Sequence, residues 1–167
     1  ERRRAAHVKS QNNRLVNEIL RHGKDIKTEK VSVKGWQKRY GKAISAKSPA
    51  TFQSELKRKA ESAGGSFTEF STQKTALSQT HLTGERVKKK LSERIHRDKT
   101  GIVMQRDLFS AYLSRFVTDD MLAIADAASQ YPGSEMILRN AWQAHQSLST
   151  TPRAESGGVR FPRRKDV

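Results

Sequence analysis

The sequence predicts a helix-rich α/β fold, and three observations predict it. Apolar residues recur at helical spacing over residues 4–22, and a Ser-Pro pair opens another helix near residue 48. Between and after them lie two short segments of strand formers. The order strand, basic connection, helix, strand is that of an α/β unit.

Taken in order, Val8, Leu15, Val16, Ile19 and Leu20 form a narrow stripe on the first helix, with Gly23 where a C-cap belongs. Such a helix packs by one edge and offers its Arg, Lys, Gln and Asn face to water or phosphate. Residues 25–33 read as a strand with its exit loop, from Ile26, Thr28, Val31 and Val33, and Glu29 falls near its end. A basic connection follows over 34–42, carrying Lys34, Trp36, Lys38, Arg39, Tyr40 and Lys42. Ser48-Pro49 places a cap before proline at the first helical position. Phe52, Leu56 and Ala60 mark that helix's buried stripe, and Gly64-Gly65 ends it. Residues 66–70 alternate as a half-buried strand should.

Residues 71–101 are polar, basic and weakly patterned, and read as an inserted hairpin or loop rather than core. Met104, Leu108, Ala111, Tyr112 and Phe116 predict a helix with Asp107 in its first turn. Two shorter helices are expected next, one capped by Thr118-Asp119 and running through Ala128, the other capped by Ser134-Glu135, with a break at Tyr131-Pro132-Gly133. From Ser149 the composition turns to that of a disordered basic tail. Two strands make a thin sheet, so further strands are expected from elsewhere.

Composition narrows the function. The 167 residues carry 33 Lys/Arg against 17 Asp/Glu, a net charge of +16 and a pI near 10.5. Residues 1–100 hold 25 of those bases and 10 of the acids, so nearly all of the excess lies there. An acidic polymer is the expected partner, and association should be strongly salt-sensitive. No cysteine is present, which excludes disulfides, thiol nucleophiles and cysteine-ligated zinc. No apolar run reaches bilayer length and no signal peptide is visible, so a soluble, intracellular protein with no membrane partner is expected.

Two carboxylates stand out. Glu29 lies at the carboxyl end of a strand, where α/β sheets present their sites, and Asp107 lies at a helix start. Carboxylates on rigid elements beside a basic groove suit Mg²⁺-dependent phosphoryl transfer, because hard cations take oxygen ligands. The alternative is a surface Glu and an Asp that favours the helix dipole. Trp36 and Tyr40 among Lys34, Lys38 and Arg39 either stack on bases or fill the gap between helix and sheet. Lys88, Lys89 and Lys90, with Arg94, are expected to contact phosphate.

The segments Ile26-Lys-Thr-Glu29-Lys-Val-Ser32, Phe52–Gly65, Leu77-Ser-Gln-Thr80 and Gln105-Arg106-Asp107-Leu-Phe-Ser-Ala111 occur in an order that resembles the C-terminal part of the TnpB-like proteins of bacterial insertion sequences. That family gave rise to type V CRISPR effectors, and the resemblance covers about residues 10–117. It implies the C-terminal portion of an RNase H-like (RuvC) domain over 1–72 and 102–148, an inserted ribbon hairpin over 73–101, and a tail over 149–167. It also implies an RNA-guided DNA endonuclease of the bacterial cytoplasm or nucleoid, with Glu29 and Asp107 as Mg²⁺ ligands and Arg106 beside nucleic acid. Guide RNA and target DNA are then the partners. The family's first catalytic Asp sits on an upstream strand, to be supplied by the rest of the polypeptide or by a partner chain.

The family also carries a four-cysteine zinc ribbon. Here His81, Thr83, Asp98 and Thr100 stand where those cysteines are expected. That is a poor zinc set, so the stretch reads as a ribbon that has lost its metal, and no structural zinc is expected. Two rivals stay open: a nuclease-inactive RNA-guided DNA-binding protein of the same descent, serving transposon targeting or repression, and a basic RNA-binding protein without nuclease ancestry.

Overall fold

The computed structural model describes residues 2–41, 44, 47–90 and 92–150. Of the tail expected over 149–167, residues 149 and 150 instead close the last helix, while 151–167 and Lys42 lie outside the described residues. The chain is mixed α/β and helix-rich. Its elements are α1 (Arg2–His22), β1 (Ile26–Glu29), α2 (Val33–Tyr40), α3 (Pro49–Ser62), β2 (Phe67–Phe70), α4 (Thr72–Thr75), a 3₁₀ turn (Leu77–Gln79), β3 (Ile95–Arg97), β4 (Val103–Gln105), α5 (Arg106–Ser114), β5 (Val117–Thr118), β6 (Met121–Leu122) and α6 (Ile124–Thr150). Among the described residues no helix is long and apolar enough to cross a membrane.

β1 and β2 pair in parallel, Ile26 against Phe67 through Glu29 against Phe70. Parallel strands need a crossover, and α2 and α3 supply it. Gly65 admits no side chain, since a Cβ there would come within 2.2 Å of the Lys24 carbonyl oxygen. The close approach lets Ile26 N–H donate to Ser66 O at 2.8 Å and starts the register. α1 packs on α3 through the fully buried Val16, and Lys59 Nζ donates to Asn17 Oδ1 at 2.8 Å. Leu15, expected on the stripe, is exposed instead.

Several expectations need correction. The basic connection after β1 is a helix, because Ser32 Oγ accepts from Gly35 N–H and caps it. Ser48 stands at the N-cap of α3 with φ 50° and no side-chain capping bond; its carbonyl accepts from Phe52 N–H at 3.1 Å. Met104 lies on β4 rather than on a helix, and α5 begins at Arg106 with Gln105 Oε1 accepting from Leu108 N–H. Its buried face is Phe109, Tyr112 and Leu113. Thr118-Asp119 caps no helix. Asp119 and Asp120 both take positive φ and make the two-residue turn of the β5–β6 hairpin, a conformation that Asp tolerates.

Pro132 does not break the chain either, for α6 runs through it. Proline's fixed φ is helical, so the main loss is one N–H bond and a clash, ~3 kcal/mol. Packing of Ala127, Tyr131, Leu138 and Trp142 on the core opposes that cost. Finally, residues 71–101 are not excluded from the core. Leu77 and Leu82 are buried with Phe70, Met104, Phe109, Tyr112 and Leu113.

Candidate functional site

β1 alternates its side chains, so Lys27 and Glu29 share one face. Lys27 Nζ donates to Arg115 O at 3.0 Å and to Val117 O at 2.7 Å. Those carbonyls sit just past the C-terminal end of α5, where a cation is favoured. The clamp lays α5 beside β1, and Glu29 and the helix's second residue, Asp107, line one cleft of about 650 Å³. Thr28, Trp36, Ser78, Arg106, Ser110 and Ser114 complete its polar and aromatic wall, and Phe52, Leu56, Phe67 and Phe70 its apolar floor.

The two carboxylates differ in what surrounds them. Burial pushes the Glu29 carboxyl above its ordinary value, and the charge of Asp107 pushes it further. Among the described residues no hydrogen-bond donor reaches the Glu29 carboxylate. Asp107 is mostly exposed and accepts one bond, from Gln105 Nε2 at 3.2 Å. Arg106 Nε stands 3.6 Å from Asp107 Oδ1, an ion-pair distance too long for a hydrogen bond, and among the described residues that buried nitrogen has no hydrogen-bond partner. Two repelling carboxylates, one of them without a donor, suit a hard divalent cation, which would add to the charge of Arg106. Glu29 and Asp107 could supply oxygen ligands to such an ion.

The predicted nucleic-acid contacts divide. Lys34, Lys38 and Arg39 are exposed on α2, and Trp36 on the same helix keeps 40% of its surface exposed while lining the cleft. The Tyr40 side chain lies outside the described residues. Lys88, Lys90 and Arg94 are exposed. Lys89 departs from the expectation, because its ammonium turns inward onto His96 Nδ1. Arg106 reaches Lys90 O at 3.3 Å, and its backbone N–H donates to Arg94 O at 2.9 Å, so the hairpin is tied to the start of α5.

Behind that hairpin lies a buried polar cluster in which His96 joins His81 and Asp98, two of the four ribbon positions. Donor atoms of His81, His96 and Asp98 lie within 4.8 Å of one another, a spacing that one metal ion could bridge. Asp98 accepts from His96 Nε2 at 2.9 Å, Leu82 N–H at 3.0 Å, Thr100 N–H at 3.0 Å and Thr100 Oγ1 at 2.8 Å. Burial alone would raise its pKa, but these donors outweigh burial and hold the carboxyl at about 2. Burial first, then the charge of Lys89, pulls the His96 imidazole below its ordinary value despite Asp98. His96 stacks on Phe109 with ring centres 4.0 Å apart. No protein-family model and no curated protein matches the chain.

Proposed function

We propose that the chain is the Asp-bearing portion of a RuvC-like, RNase H-like endonuclease site in an RNA-guided DNA-targeting protein. The observation that carries this is the convergence of Glu29 and Asp107 on one cleft, with Glu29 perturbed by the charge of Asp107. The parallel β1–β2 pair, with α5 held beside it by Lys27, supports the reading.

Bound Mg²⁺ would polarise a DNA phosphodiester and acidify the attacking water. The chain's own part is to hold two oxygen ligands on a strand end and a helix start, both rigid. Arg106, flanking Asp107, meets the phosphate charge. Lys34, Lys38 and Arg39 hold the nucleic-acid backbone at the rim, and Trp36 offers a face for base stacking. A further carboxylate comes from the upstream segment of the same polypeptide or from a partner chain, and guide RNA and target DNA are the other partners.

The test is cleavage by the assembled RNA–protein complex. Asp107→Ala should lower Mg²⁺-dependent DNA cleavage by about a thousandfold or more, since a metal-held transition state depends on each ligand for several kcal/mol. RNA and target binding should persist. A second reading, targeting without cleavage, draws on the loss of every ribbon cysteine. Wild-type complex that binds target but never cuts it with Mg²⁺ or Mn²⁺ decides for that reading.

A further inference from the structure

We infer that the hairpin beside the cleft is closed by a chain of hydrogen bonds running Lys89–His96–Asp98, in place of a metal ion, and that this closure positions Asp107. The ribbon reading matters here only for locating the positions where thiolates would stand; the network itself is given by geometry.

Of the four positions, Thr83 is exposed, and Thr100 donates to Asp98 rather than facing an ion. Only His81 and Asp98 remain as donors, joined by His96. Their facing lone pairs are already taken. A carboxylate offers about four acceptor sites, and Asp98 receives four donors. An ammonium can only donate, so with Lys89 at His96 Nδ1 the ring proton sits on Nε2 and points to Asp98. His81 Nδ1 accepts from Lys99 N–H at 3.1 Å and stands 3.3 Å from Asp98 Oδ2. The one ring nitrogen left over is His81 Nε2, which is buried without a partner.

A divalent ion entering this cluster would have to displace three backbone or hydroxyl donors and settle beside a fixed ammonium. The donor set does not fit zinc, and Lys89 supplies the positive charge that zinc would bring. The consequence for the cleft is mechanical. His96 stacks on Phe109, two residues beyond Asp107 on α5, and Arg106 is bonded to Lys90 and Arg94. Loosening the chain should therefore loosen the first turn of α5. Lys89, His96 and Asp98 act as positioning residues.

The test uses Zn²⁺ and Co²⁺ on the purified protein, together with amide hydrogen exchange. Wild type should retain no stoichiometric zinc through dialysis and give no tetrahedral Co²⁺ absorption band. Its thermal midpoint should be the same in chelator and in added zinc. Asp98→Asn should speed exchange at the Leu82 and Thr100 amides by roughly tenfold or more, with exchange at Leu108 rising as well, and zinc should not reverse this. Lys89→Met, which keeps the stem and removes the charge, is the milder variant should Asp98→Asn fail to fold. Its Leu108 amide should also exchange faster. One zinc per chain surviving dialysis overturns the inference, as does unchanged exchange in the variant that folds. A wild-type complex that never cuts DNA, with the hairpin still metal-free, would count against the nuclease reading alone.

Discussion

The cleft and the hairpin core each contain a partly or wholly buried acid, and the two acids are treated in opposite ways. Glu29 meets burial and a like charge with no donor, and its pKa rises. Asp98 meets burial with four donors, and its pKa falls to about 2. The same residue class thus stands without a donor in one place and in a completed network in the other. The lesson is that donor count, more than the presence of acids or histidines, separates a site that wants a metal from one that does not. The group of three potential ligands found among the described residues, His81, His96 and Asp98, is the one rich in donors.

The largest test of this contrast is to delete each acid. Asp98→Ala should cost about 3 kcal/mol or more in urea unfolding, because it strands the buried His96 imidazole and several N–H groups. Asp107→Ala should cost less than about 1 kcal/mol, the scale of a helix-dipole contact. Equal costs would erase the distinction.

Acid should act next. A depressed pKa means stability that is present above the unfolded value of 3.8 and lost as pH falls toward about 2. The Asp98 network should surrender roughly 2 kcal/mol across that window. The groups facing Asp98 are His96 and His81, with Lys89 and Tyr131 beyond them. Glu29 has the opposite sign: its raised pKa makes it mildly stabilising at low pH and a cost once ionised. Unfolding curves of wild type and Asp98→Asn from pH 5 to 2 should converge as the pH drops.

Lys27→Met comes third. It removes the donor to Arg115 O and Val117 O that lays α5 beside β1. About 1 kcal/mol of stability should go, and Mg²⁺-dependent cleavage should fall further than that loss explains. The smallest effect on stability belongs to Lys88 and Lys90. Replacing both by Ala should leave unfolding unchanged and flatten the salt dependence of RNA binding by up to ~2 units. Lys89→Met should do the reverse, weakening the fold while leaving that slope nearly alone.

Much of this contrast was legible in the residues. Glu29 at a strand end, Asp107 at a helix start and the Gly64-Gly65 stop all come from local patterns, and local patterns suffice where a residue's role is set by its own element. The failures are tertiary. Pro132 reads as a breaker until the packing of Tyr131 and Trp142 is known. Thr118-Asp119 reads as a cap because the positive φ of Asp119 and Asp120 leaves no mark in composition. The stretch 71–101 reads as surface because Leu77 and Leu82 are too few to show a period, although both are buried. Lys89 is indistinguishable from its neighbours until His96 is brought beneath it. Lys27 alone carried a usable signal, since it shares a strand face with Glu29.

On the proposed function, a divalent ion should bind at the cleft carboxylates and not at the histidine–aspartate cluster. Free Mn²⁺ measured by EPR during titration of wild type, Glu29→Gln/Asp107→Asn and Asp98→Asn tests it directly. Mn²⁺ binding should vanish in the double variant and persist in Asp98→Asn. Binding that survives the double variant and disappears in Asp98→Asn would contradict the account.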